Sequence, residues 1–87
     1  MKKYKINSKL VYKQVSDQVI ILDEERAEVR ELNDVASLIF LNMISWTTLE
    51  KISEKISKEY DVSQKEVLRD VNEFVTMYID KGYILTK

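Results

Sequence analysis

The spacing of apolar and polar residues changes period once along the chain, close to residue 33. Before that point the period is two. "KLVYKQV" (Lys9 to Val15) is rich in strand formers, and "SDQ" (Ser16 to Gln18) is a turn signal. "VIILD" (Val19 to Asp23) is a β-branched apolar run, and "EER" (Glu24 to Arg26) is a second short turn. "AEVREL" (Ala27 to Leu32) then alternates, with Ala27, Val29 and Glu31 on one face and Glu28, Arg30 and Leu32 on the other. Loops this short imply hairpins, so the three segments predict an antiparallel meander whose third strand is an edge. An edge strand carries unpaired N–H and C=O groups and can accept a further strand.

After residue 33 the period is helical. Asn33 is a good N-cap, with Asp34 in the first turn to complement the helix dipole. Val35, Leu38, Ile39 and Ile44 follow at helical spacing. Thr47 with Glu50 reads as a capping box opening a second helix, whose apolar face is Leu49, Ile52, Ile56 and Tyr60. Ser63 with Glu66 reads as the box of a third helix, running to about Lys81 and closed by Gly82. "YILT" (Tyr83 to Thr86) is a short apolar tail. The third helix carries two stripes, Val67, Val71, Phe74, Tyr78 and, beside it, Leu68, Val75, Ile79. Together they are wider than one core contact needs. Two readings stay open: the whole width is buried, or the second stripe lines a groove for an apolar ligand.

Composition narrows the chemistry more than the fold. The chain has 87 residues, the size of one small domain. It has no cysteine and no histidine, which excludes disulfides, thiol chemistry, Cys/His zinc sites and imidazole acid–base work. Gly82 is the only glycine and proline is absent, so no glycine-rich phosphate cradle exists. The carboxylates show no ligand spacing on one helix face, so neither a metal nor another cofactor is expected. A non-enzymatic binding module is the expectation. No apolar run is long enough to span a bilayer, and the basic start "MKKYKINSKL" has no apolar segment after it, which predicts a cytoplasmic protein without membrane contact.

The net charge is −1, unevenly spread. Residues 1–13 carry five lysines and no acid, and residues 1–8 read as a flexible basic arm. Residues 23–34 carry six acids against Arg26 and Arg30. That run is either a solvated face or a surface that steers a basic partner.

Three strands followed by three helices predict an α+β fold resembling a winged helix-turn-helix, in one domain over residues 1–87. Such folds often bind DNA. Here the third helix sets three basic residues (Lys65, Arg69, Lys81) against four acidic ones (Glu66, Asp70, Glu73, Asp80), the wrong balance for a helix laid among phosphates. No nucleic-acid partner is expected on that ground, and a DNA-binding regulator is kept only as an alternative.

Three segments resemble a known family. "ELNDVASLIF" (Glu31 to Phe40) is similar to its Leu-Asn-x-x-Ala-x-x-Ile-Trp segment, with Phe40 at the aromatic position. "DVNEFVTMYIDKGYI" (Asp70 to Ile84) is similar to its Asp-Val-x-x-Phe-Leu-x-x-Leu-x-x-x-Gly-Leu signature, and "TLEKISEKISKEYDVS" (Thr48 to Ser63) resembles its middle helix and following turn. The family is PqqD-like, also called RiPP recognition elements, and the resemblance spans about residues 10 to 85. It implies a non-catalytic domain that binds the leader of a ribosomally synthesised precursor peptide. The leader would add to the third strand, lie against the third helix, and be delivered to a modifying enzyme or leader peptidase. Lasso peptide biosynthesis is favoured, with a PqqD-type chaperone for a radical SAM enzyme as the alternative.

Carried onto this chain, the resemblance implies a peptide site made of Glu28, Val29, Arg30, Glu31 and Leu32 on the strand and Leu68, Val71, Asn72, Val75 and Ile79 on the helix. Val29, Leu68, Val75 and Ile79 are expected as pocket walls, with Glu28, Arg30 and Glu31 tuning charge and register. Asn33 is expected as a cap, Asp70 as a structural or rim residue, and Phe74 and Tyr78 as core. Two departures stand out. "ISWTT" with Trp46 replaces the family's glycine between the first two helices, and Arg30 stands where the family is often apolar. Trp46 either packs on the domain's own core or faces a partner enzyme. An open edge also permits self-association, so a monomer or weak dimer is expected.

Overall fold

The computed structural model describes residues 1–87. In chain order the elements are β1 (Tyr4–Ile6), β2 (Val11–Val15), β3 (Gln18–Asp23), β4 (Glu28–Glu31), α1 (Asp34–Leu41), α2 (Leu49–Tyr60), α3 (Gln64–Asp80) and β5 (Ile84–Thr86). The predicted meander is present as an antiparallel sheet in the order β2-β3-β4. Val15 pairs with Gln18 across a two-residue turn in which Ser16 takes φ +59°. Asp23 pairs with Glu28 across a longer turn in which Ala27 takes φ +51°. Asp23 Oδ1 accepts from the Arg26 backbone N–H at 3.0 Å, which fixes that turn locally.

The helices form where the period changes, with small corrections at their starts. Asn33 caps α1: its Oδ1 accepts from the Ala36 N–H at 2.8 Å. The cap of α2 is Thr48 rather than Thr47, its hydroxyl accepting from the Lys51 N–H at 3.2 Å. Ser63 stands at the N-cap of α3 but its side chain makes no capping bond, so the expected box is not formed there. At the other end of α3, Gly82 (φ +80°) takes the left-handed position. Its N–H donates to Ile79 and that of Tyr83 to Tyr78, both at 2.9 Å, closing the helix end as a Schellman motif. The connection Asn42–Thr48 contains no residue at positive φ, so a glycine is not required between α1 and α2.

The amino terminus departs from expectation. Residues 4–6 are not an arm: β1 pairs antiparallel with β5, Tyr4 opposite Thr86 and Ile6 opposite Ile84, and Tyr4 and Ile6 are buried. Tyr4 also exchanges backbone hydrogen bonds with Thr47 (2.8 and 3.0 Å), and the Ile6 N–H donates to Met43 at 2.8 Å. The two chain ends thereby clamp the α1–α2 connection.

The core is one cluster drawn from every layer. It contains Val19 and Ile21 of β3, Ile39 and Phe40 of α1, Ile52 and Ile56 of α2, and Val67, Val71, Val75 and Tyr78 of α3. Tyr12 stacks edge-on against Phe40 at 5.0 Å between ring centres. The buried Ser37 hydroxyl accepts from the Val19 N–H (2.9 Å) and donates to the Leu32 carbonyl (3.2 Å). That pair welds α1 onto β3 at the point where β4 hands over to the helices, and leaves no buried polar group there without a partner.

Candidate functional site

Both outer strands of the three-stranded sheet are open, and β4 is the one followed directly by α1. The Leu32 N–H donates to Val19 at 2.9 Å, which sets the phase of the ladder. Antiparallel residues alternate between inward and outward backbone groups. Residues 28, 30 and 32 therefore spend theirs on β3, and Val29 and Glu31 present N–H and C=O at the free edge. Side chains alternate across the other axis. Arg30 lies opposite the buried Ile21 and so faces inward, whereas Val29 lies opposite Leu22 on the outer face and is 67% exposed.

The helix beside this edge is α3, and two contacts fix which flank faces the strand. Arg26, in the β3–β4 turn, donates from Nη1 to the Lys81 carbonyl at 3.2 Å, and Arg30 lies against Tyr78 and Tyr83. At the opposite end an apolar cavity of about 270 Å³ opens between Val35 and Leu38 of α1, Ile56 and Tyr60 of α2, and Val67 and Asp70 of α3. Asp70, Phe74 and Tyr78 are four residues apart and stack along one helix flank. Phe74, half-buried, lies 4.2 Å from Tyr78 between ring centres. The strip between β4 and this flank of α3, from the β3–β4 turn toward the α1–α3 cavity, with Arg30 beside Tyr78 and Phe74 next along the helix, is the candidate groove.

This placement corrects several expected contacts. Leu32, Val71 and Val75 are 5, 0 and 2% exposed and belong to the core, so they support the groove from beneath and line none of it. The Val29 side chain is on the far face of the sheet, away from any pocket beside α3, and only its backbone faces the free edge. Leu68 and Ile79 are half-buried and Asn72 exposed, but all three lie on the helix flank away from Asp70 and Phe74. Glu28 and Glu31 are exposed at the edge as expected, and Tyr78 is buried as expected. Phe74, assigned to the core, is the aromatic at the groove. Val35 and Leu38 were missed, although only three residues separate Glu31 from Val35 and place them at the strand's exit.

One polar network holds the far end of the groove. The buried Asp23 carboxylate accepts from the Tyr83 hydroxyl at 2.5 Å and from Arg26 Nη1 at 3.0 Å. The Tyr83 bond, against the opposing effect of burial and with help from Arg26, lowers the Asp23 pKa to about 2. Burial, followed by the bond to Asp23, raises the Tyr83 pKa, so its hydroxyl stays a donor. The Tyr83 ring packs edge-on to Tyr78 at 5.2 Å, joining this network to α3. Trp46 lies elsewhere: half-buried in the α1–α2 connection, with the Lys87 ammonium 4.3 Å from its ring centre.

Residues 18–84 match the family described as Coenzyme PQQ synthesis protein D (PqqD). The chain belongs to the PqqD family. No curated protein matches it in sequence. Its fold is shared with three solved structures. TbiB1 in complex with the TbiA(β) leader peptide is similar at a TM-score of 0.81 and 26% identity, over 92% of this chain and 93% of that one. Lasso peptide synthetase B1 complexed with the leader peptide is similar at 0.80 and 23% identity, over 94% and 96%. The PqqD truncation of Methylobacterium extorquens PqqCD is described as a functional, stand-alone RiPP recognition element. It is similar at 0.77 and 13% identity, over 95% and 88%. The α+β architecture expected from the sequence is thus the PqqD architecture. No helix is long and apolar enough to cross a membrane.

Proposed function

We propose that this PqqD-family chain binds the leader segment of a ribosomally synthesised precursor peptide. The leader adds as an extended strand to the open edge of β4 and lays its inward side chains along Asp70, Phe74 and the α1–α3 cavity. The observation that carries this reading is the free edge itself. Val29 and Glu31 offer two unpaired backbone N–H and C=O sets beside an aromatic and apolar groove. Strand addition takes affinity from main-chain bonds and specificity from pockets that receive alternate side chains. The leader-bound structure at 26% identity supports the same role here.

On this reading the chain is not an enzyme. It holds the precursor and presents it to a modifying enzyme or leader peptidase in the cytoplasm. Lasso peptide biosynthesis is the favoured setting, in keeping with the fold shared with a lasso synthetase subunit. The test is a fluorescence-polarisation titration with the labelled leader of the precursor encoded beside this gene, at low and high salt. Saturable binding at micromolar concentration or below, little altered by salt, is the expected result. Affinity that collapses with salt is the signature of phosphate contacts and would favour the DNA-binding alternative.

A further inference from the structure

The inward face of β4 carries a cation where neighbouring strand positions are apolar. Arg30 stands opposite Ile21 with its side chain 31% exposed, beside Tyr78 in the candidate groove. Its resting partners are poor. Nη2 donates to Glu28 Oε2 at 2.9 Å, but Glu28 is 44% exposed, and ion pairs this open contribute little. Nε is buried and makes no hydrogen bond, and the Tyr83 hydroxyl beside the guanidinium offers it only a neutral oxygen. Burying a donor without an acceptor costs about 1–3 kcal/mol, so this resting position is readily exchanged for one with a full set of acceptors. The Tyr83 contact, opposed by burial, still favours the charged form, and the guanidinium stays protonated.

The surroundings then specify the acceptor. Every other charged side chain bordering the strand and the groove's apolar end is an acid: Glu28, Glu31, Glu66 and Asp70. At the turn end Arg26 is already held by Asp23 and the Lys81 carbonyl, so a carboxylate on the incoming peptide is repelled toward the apolar end and welcomed at Arg30. We propose that Arg30 reads an aspartate or glutamate on the incoming strand, at the inward-facing position beside it, and that this pair fixes the register of the added strand. The planar fork of Arg suits a carboxylate in two-bond geometry better than a carbonyl or an amide oxygen. Register matters because a slip of one residue turns every inward side chain outward. The proposal rests on leader binding at β4, and concerns which peptide the edge accepts.

The test is selection of a displayed library of random extended peptides on the wild-type protein and on Arg30→Gln and Arg30→Lys, each checked for folding by circular dichroism. The wild type is expected to enrich an acid at one position, with apolar residues at alternate positions from it. Arg30→Gln is expected to lose the acid and keep the apolar pattern, and Arg30→Lys to retain the acid more weakly. Replacing the acid of a selected peptide by its amide should weaken binding to wild type about tenfold, the usual scale for a charge-assisted bond, and leave Arg30→Gln indifferent. Enriched peptides without an acid, or an acid preference unchanged in Arg30→Gln, would overturn the role of Arg30 while leaving leader binding intact. Failure of the folded wild type to enrich any extended apolar pattern would overturn leader binding itself.

Discussion

The three-stranded sheet has two free edges, β2 and β4, and they are not equivalent. Their backbones are alike: Tyr12 and Gln14 turn N–H and C=O outward on β2 as Val29 and Glu31 do on β4. Their surroundings differ. The β2 edge carries Lys13, with Lys9 just before it, and exposed lysines are a common guard against unwanted strand pairing. The β4 edge has acids, an Arg turned inward and α3 alongside it. An open edge supplies affinity to any strand; the helix beside it decides which strand stays. On the proposed reading, the difference teaches that the recognition surface is made by α3 and α1 as much as by the strand.

The largest effect is expected beneath the groove. Val75→Asp places a charge at a fully enclosed position of α3 and should cost about 4 kcal/mol or more, enough to unfold a domain this small, read as loss of helical circular dichroism and of a cooperative thermal transition. A folded Val75→Asp protein that has merely lost peptide affinity would return Val75 to the groove wall.

The two edges can be set against each other directly. Val29→Pro removes an outward-facing N–H and leaves the β3–β4 ladder intact, since edge strands tolerate proline where the donor faces solvent. Leader affinity should fall about tenfold or more. Gln14→Pro makes the matching change on β2 and should leave affinity unchanged. Equal losses from both variants would mean that the edges are not distinguished. Phe74→Ala should weaken the leader by a smaller factor, about three- to tenfold, because the aromatic loses packing on the peptide but is already partly solvated. An unchanged affinity by calorimetry would take Phe74 out of the site.

How much of this was legible in the sequence depends on whether the signal is local. The meander, the Asn33 cap and the Gly82 helix end follow from alternation, a side-chain oxygen before a helix and a left-handed position, all readable within a few residues. The β1–β5 pairing joins Tyr4 to Thr86 across nearly the whole chain, and the lysines interleaved with Tyr4 and Ile6 disguise a buried strand as a basic arm. The faces of α3 were ambiguous because apolar residues extend from Phe74 round to Ile79. Only the cross-chain contacts of Arg26 and Arg30 show which flank meets β4.

The smallest effect concerns pH. Asp23 titrates near its ordinary value of 3.8 in the unfolded chain and at about 2 in the native one. Between those values the unfolded state binds more protons, so the stability contributed by the Asp23–Tyr83–Arg26 network is present above roughly pH 4 and is lost as pH falls toward 2. Denaturant melts across that range should show a decline that Asp23→Asn flattens, with leader affinity near neutrality reduced only through a looser β3–β4 turn. An equal decline in the variant would assign the acid sensitivity to other carboxylates.

Strand addition at β4 is tested most directly by amide hydrogen exchange, residue by residue, with and without saturating leader peptide. Protection gained at Val29 and Glu31, with Tyr12 and Gln14 still exchanging freely, is the predicted result. Bound leader that leaves Val29 and Glu31 unprotected, or that protects Tyr12 and Gln14 instead, would contradict it.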